Sequence, residues 1–91
     1  MNDSSIGSKP ELNLSEPMVA AGEIHFSAFG PGWGFCSYAV PAGVAMQRLG
    51  AKDPSAAQLR LAFMLNRQRI AAAVAASGAR DPGRRVILST I

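Results

Sequence analysis

The segment that most constrains the fold is Ala57 to Ser77, AQLRLAFMLNRQRIAAAVAAS, the one long stretch with a clear helical period. Advancing 100° per residue from Leu59 places Leu59, Phe63, Ile70, Ala73 and Val74 within a sector of about 100°, the width of a core-facing stripe. The run holds no Pro or Gly and is rich in Ala, Leu, Arg and Gln, so intrinsic propensity agrees with the period. Asp53-Pro54 marks the expected start, with Asp as N-cap and Pro as the first helical residue. Gly78 marks the expected stop, because glycine accepts the positive φ of a helix terminus.

Two features of this helix go beyond simple amphipathicity. Asn66 falls in the middle of the apolar stripe. An unpaired buried amide costs about 1–3 kcal/mol, so Asn66 is expected to tie the helix to a backbone loop or a strand end. Leu61, Leu65 and Ala72 gather on the far side. A second apolar strip implies a neighbour on that side or an oligomer, which makes Leu61 and Leu65 candidate interface residues.

A chain of 91 residues makes one domain with a modest core. Residues 1–11, which include Ser4, Ser5, Gly7, Ser8 and Pro10, read as a flexible tail, and residues 12–91 as a single α+β domain. Leu12-Asn13-Leu14 reads as a short strand ended by Pro17, and Met18 to Gly22 as a connector. EIHFSA, Glu23 to Ala28, alternates, with Ile24 and Phe26 on one side and His25 and Ser27 on the other. Gly30-Pro31-Gly32-Trp33-Gly34 is a turn. FCSYAV, Phe35 to Val40, returns with Cys36, Tyr38 and Val40 sharing a side, which completes a β-hairpin.

Pro41 to Leu49 reads as a short helix with Val44, Ala45 and Leu49 inward and Gly50 as its stop. Asp81-Pro82-Gly83 is a turn, and RRVILSTI, Arg84 to Ile91, is a β-branched last strand. The expected order is β-β-β-α-α-β. The expected architecture is an antiparallel sheet (short N-terminal strand, hairpin, C-terminal strand) with two helices packed on one face.

Several of these residues carry a family likeness. They are His25-Phe26, Cys36 after a Gly-containing turn, Ala39 to Leu49 at the start of the first helix, Phe63-x-x-Asn66-Arg67-x-x-Ile70, and Val86 to Thr90. Over about residues 12 to 91 the chain resembles the small bacterial family catalogued as domain of unknown function 1488. The resemblance implies a compact fold of short strand, hairpin, two helices and final strand. It implies no activity, because that family has none assigned. The chain departs from the family pattern at Pro41, where a Ser-type cap is usual, and in the Ala-rich end of the long helix.

The charge is uneven: residues 1–45 carry net −3 and residues 46–91 net +6. Seven of the nine basic residues are Arg, the type suited to phosphate and carboxylate. Arg60 and Arg67 lie beside the helical stripe. With Arg84 and Arg85 they form a candidate anion or nucleic-acid contact, although no helix-turn-helix, zinc finger or ribonucleoprotein motif accompanies them. Trp33 at the hairpin tip is a candidate interface residue, with packing back over the sheet as the alternative.

The chemistry of catalysis is thin. A Cys36–His25 pair lacks an orienting third group, and alternation sets the two on opposite sides. The six carboxylates are scattered. The glycines at 30, 32 and 34 join two strands, not a strand and a helix, so they do not form a phosphate loop. One Cys and one His do not make a zinc site, and no cofactor is expected. A small-molecule enzyme would place its pocket near Asn66, Tyr38 and Cys36. No apolar run approaches the ~18 residues of a membrane span. The N-terminus lacks the basic and apolar regions of a secretory signal, and the lone Cys suits a reducing compartment. These features point to a cytoplasmic location. The leading expectation is a non-enzymatic binding or assembly module, a homodimer or accessory subunit. A nucleic-acid or phosphate-ligand binder stands second and an enzyme third.

Overall fold

The computed structural model describes residues 12–31, 34–77 and 83–91. The expected tail, the Trp33 loop tip, the Gly78 stop and Asp81-Pro82 lie outside the described residues. Among the described residues the elements run β1 (Asn13–Leu14), β2 (Met18–Ala20), β3 (Glu23–Gly30), β4 (Gly34–Pro41), α1 (Ala42–Arg48), α2 (Ala56–Leu65), α3 (Arg67–Ser77) and β5 (Arg85–Ile87). The α+β class is as expected.

β3 and β4 form the hairpin, pairing antiparallel from Glu23↔Pro41 to Gly30↔Gly34. Alternation sends Ile24, Phe26 and Ala28 of β3 and Cys36, Tyr38 and Val40 of β4 into the core. Phe26 stacks on Tyr38 with centroids 5.6 Å apart and meets Phe63 of α2 at 5.0 Å. Leu59, Phe63, Ile70 and Val74 are all fully buried, so the stripe read from the sequence does line the core.

Four details differ from the sequence expectation. First, Met18 to Ala20 is a strand, not a connector. It turns into β3 through Ala21 and Gly22, whose φ angles are 54° and 73°, the two successive positive values of a tight hairpin turn. No Asn-Gly or Asp-Gly announced that turn. Second, β1 and β2 share one lane beside β3. Ser15 continues β1 by donating its N–H to the Ser27 carbonyl, while its Oγ accepts from the Ser27 N–H. Glu16 and Pro17 then stand opposite the single residue Phe26 before Met18 pairs with His25, which makes a bulge at the sheet edge.

Third, β5 pairs parallel with β4, Ser37↔Arg85 to Ala39↔Ile87, so the sheet is mixed, not antiparallel. The helical layer between β4 and β5 supplies the long crossover that a parallel pair requires. Fourth, the long helix is two helices. At Asn66 the backbone leaves helical geometry (φ −119°, ψ 24°), although Leu59, Phe63, Ile70 and Val74 keep their common inward phase.

The start of α2 also shifts. Ser55, not Asp53, is the N-cap and accepts from the Gln58 N–H at 3.3 Å. Asp53 Oδ1 accepts the Ser55 N–H at 2.9 Å, and Gln58 Oε1 accepts from Lys52 N–H at 3.1 Å. Ser55-x-x-Gln58 is the spacing of a capping box, and Asp53 takes the amide that Gln58 would otherwise reach.

Candidate binding surfaces

α2 carries Leu59, Ala62 and Phe63 on its buried side. Its other side carries Leu61, Met64 and Leu65, three and four residues apart and therefore neighbours on the helix surface. Leu61 is 50% and Leu65 74% exposed. The second apolar strip expected from the sequence is present and uncovered.

Asn66 lies at the junction of α2 and α3 and binds inward. Its Nδ2 donates to the Leu49 carbonyl at 3.1 Å and to the Ala62 carbonyl at 2.8 Å. Its own carbonyl accepts from the Ile70 N–H at 2.9 Å, the first turn of α3. The expected tie to a backbone loop is therefore the C-terminus of α1. Tyr38 and Cys36 are fully buried on the inner face of β4, and Cys36 Sγ lies 3.8 Å from the Ser37 carbonyl. Asn66, Tyr38 and Cys36 line neither concavity described below. His25, on the other face, has Nε2 2.9 Å from Glu23 Oε1.

The four candidate arginines are not one patch. Arg60 Nη1 donates to the Pro17 carbonyl and Arg67 Nη2 to the Leu14 carbonyl, each at 2.7 Å. Arg67 also lies over the Phe63 ring, 5.7 Å from its centroid. Ser15 turns its amide toward β3, so the Leu14 carbonyl one residue earlier points away from the sheet. Arg67 therefore closes an outward carbonyl of the broken edge, and Arg60 closes another at the bulge. Arg85 pairs with Ser37, which pairs with Ser27, and this row faces away from the helices. Arg84 is exposed just before β5. Arg69, which the sequence reading had not singled out, donates to the Arg48 carbonyl at the end of α1 at 2.8 Å.

The face of the sheet opposite the helices is arranged in rows. Asn13, Phe29 and Phe35 form the first. Ser15, Ser27, Ser37 and Arg85 form the second, and Met18, His25, Ala39 and Ile87 the third. Phe29 and Phe35 stack with centroids 6.4 Å apart and planes 23° from parallel. A concavity of about 180 Å³ opens on this face between Ser15, Glu16, Met18, His25, Ser27 and Arg85. A second, apolar groove of about 250 Å³ lies between Ala73 and Ala76 of α3 and Val86 and Leu88. No group of three or more His, Cys, Asp or Glu side chains is placed to hold a metal ion among the described residues. No helix among them is long and apolar enough to cross a membrane.

No family model, curated protein or solved structure matches the chain.

Proposed function

We propose that the protein is a small cytoplasmic assembly module that pairs with a second copy of itself through the outer strip of α2. The observation that supports this reading is the exposure of Leu61 and Leu65, with Met64 between them, on a helix whose opposite side is fully packed. Burying three such side chains on association favours the pair by about 25 cal/mol per Å² of apolar surface removed from water. Arg60 is drawn toward the Pro17 carbonyl, so its charge is held to one side of the strip. A two-fold pairing of identical strips is the commonest closed arrangement for such a surface. An enzyme reading has little to rest on, because Asn66 binds backbone carbonyls and Tyr38 and Cys36 lie in the core.

Light scattering on Leu61→Glu and Leu65→Glu tests the reading. Each places a charge in the proposed seam without touching the core. The expected result is a dimer for the parent chain and a monomer for each variant, with unchanged circular dichroism. Variants that keep the parental mass would refute the proposed seam.

A further inference from the structure

We propose that the open face of the sheet binds single-stranded nucleic acid, with bases stacked on the Phe29–Phe35 pair and the phosphate backbone passing Arg85. This surface lies on the side of the sheet away from the helices, so the inference does not depend on pairing through α2.

The arrangement follows from strand register. Phe29 and Phe35 are directly opposite each other on β3 and β4, and Phe29 is 39% and Phe35 58% exposed. Two large aromatic rings held together in water, outside the core, offer π surface at little ordering cost. Aromatic side chains on an open sheet are the means by which several folds hold unpaired bases. The next row sets Ser27 and Ser37 in register with Arg85. Among the described residues Arg85 has no ion-pair partner, the only salt bridge there being His25–Glu23. A guanidinium and hydroxyls one row from an aromatic pair match the alternation of base and phosphate along a strand.

Arg85 is the one full positive charge of rows one to three, and the Glu23 carboxylate beside row three is paired with His25 at 2.9 Å. Glu16 sits at the rim of the concavity, where it would repel phosphate and accept a hydrogen bond from a base amino group, as acidic side chains do from cytosine. The polar middle row separates the aromatic pair from Met18 and Ile87, so the face is not the continuous apolar surface of a buried protein seam. A duplex hides its base faces, so the rings select for single strands.

The test is fluorescence anisotropy at low salt with a labelled single-stranded oligonucleotide of cytosine and thymine, about a dozen nucleotides long, and a duplex of equal length. The expected result is binding to the single strand in preference to the duplex. Phe35→Ala is expected to weaken it about tenfold, within the range for loss of one stacking platform. Phe35→Leu keeps the apolar bulk without the ring face, so an equal loss with an unchanged melting temperature excludes misfolding as the cause. Arg85→Ala is expected to weaken binding and to make its salt dependence shallower by about 0.7 in log–log slope. Leu65→Glu is expected to leave oligonucleotide binding intact, which separates this surface from the α2 seam. No binding at low salt, preference for duplex, phenylalanine variants that bind as the parent does, or loss of a dimer in those variants would each overturn the proposal.

Discussion

Asn66 joins three helices, two through its side-chain amide nitrogen and the third through its backbone carbonyl. Nδ2 reaches the Leu49 carbonyl at the end of α1 and the Ala62 carbonyl in the last turn of α2, while the Asn66 carbonyl begins α3. An asparagine that bonds back to the carbonyl four residues earlier competes with the helical ladder, which explains the break without loss of the inward phase. Asn66→Ala leaves the Leu49 carbonyl without this donor. It is expected to lower unfolding free energy in urea by about 1–3 kcal/mol, whereas an unchanged midpoint would mean that water replaces the amide at no cost. Ala21 is the opposite case, a residue that opposes its own conformation. It is the only described non-glycine residue with positive φ, a region that costs an ordinary L-residue about 1–2 kcal/mol. Ala21→Asn supplies the side chain this turn prefers. It is expected to stabilise the protein by about 0.5–1 kcal/mol, read as a higher urea midpoint; a lower midpoint would contradict the turn geometry.

At the scale of elements, the start of α2 is the clearest local design. Ser55 caps the helix, and Asp53 holds the Ser55 amide. The hydrogen bond from the Ser55 side chain, and then that from its backbone, hold the Asp53 carboxyl below its ordinary pKa. A carboxyl whose folded value is depressed adds stability that is present above its unfolded pKa and is lost as pH falls through the folded one. Asp53 is fully exposed, so its effect is small and screened. Asp53→Asn is therefore expected to flatten the fall in melting temperature below about pH 4, and an acid limb as steep as the parent's would contradict it. Ser55→Ala is expected to cost about 1 kcal/mol in the same melts.

How much of these elements is legible in the chain depends on whether the signal is local. Ile24, Phe26, Cys36, Tyr38 and Val40 declare the hairpin because alternation is a property of each strand alone. The burial of Leu59, Phe63, Ile70 and Val74 is equally legible from spacing. The direction of β5 is not, because a helical layer returns the chain to either end of a sheet and hydropathy does not record which. β2 was hidden by the absence of a turn residue at Ala21. The capping role of Ser55 was written in Ser55-x-x-Gln58, but Asp53-Pro54 gave a competing start signal two residues earlier. The arginines misled for a different reason. Helical spacing sets Arg60 and Arg67 beside the stripe, but only the bulge at Glu16-Pro17 shows that they end on carbonyls of the sheet edge. Phe29 and Phe35 were not read as a site, since their pairing on the open face follows from register.

At the scale of the molecule, the helical layer presents two sides with different work. Its inner side completes the core with Phe26 and Tyr38, and its outer side leaves Leu61, Met64 and Leu65 in water. The edge of β1 and β2 is broken by a bulge and closed by Arg60 and Arg67, the kind of device that keeps sheet edges from pairing with other chains. The proposed pairing therefore runs through α2 and not through this edge. If the chain pairs through α2 as proposed, its assembly rests on apolar contact and is insensitive to salt, because screening acts on exposed charge and not on apolar burial. Sedimentation equilibrium of the parent chain over a range of concentrations, at low and at moderate salt, tests this most directly. The account predicts a dimer whose dissociation constant is nearly the same at both salts. A monomer at every concentration, or a dimer that falls apart as salt is raised, would contradict it.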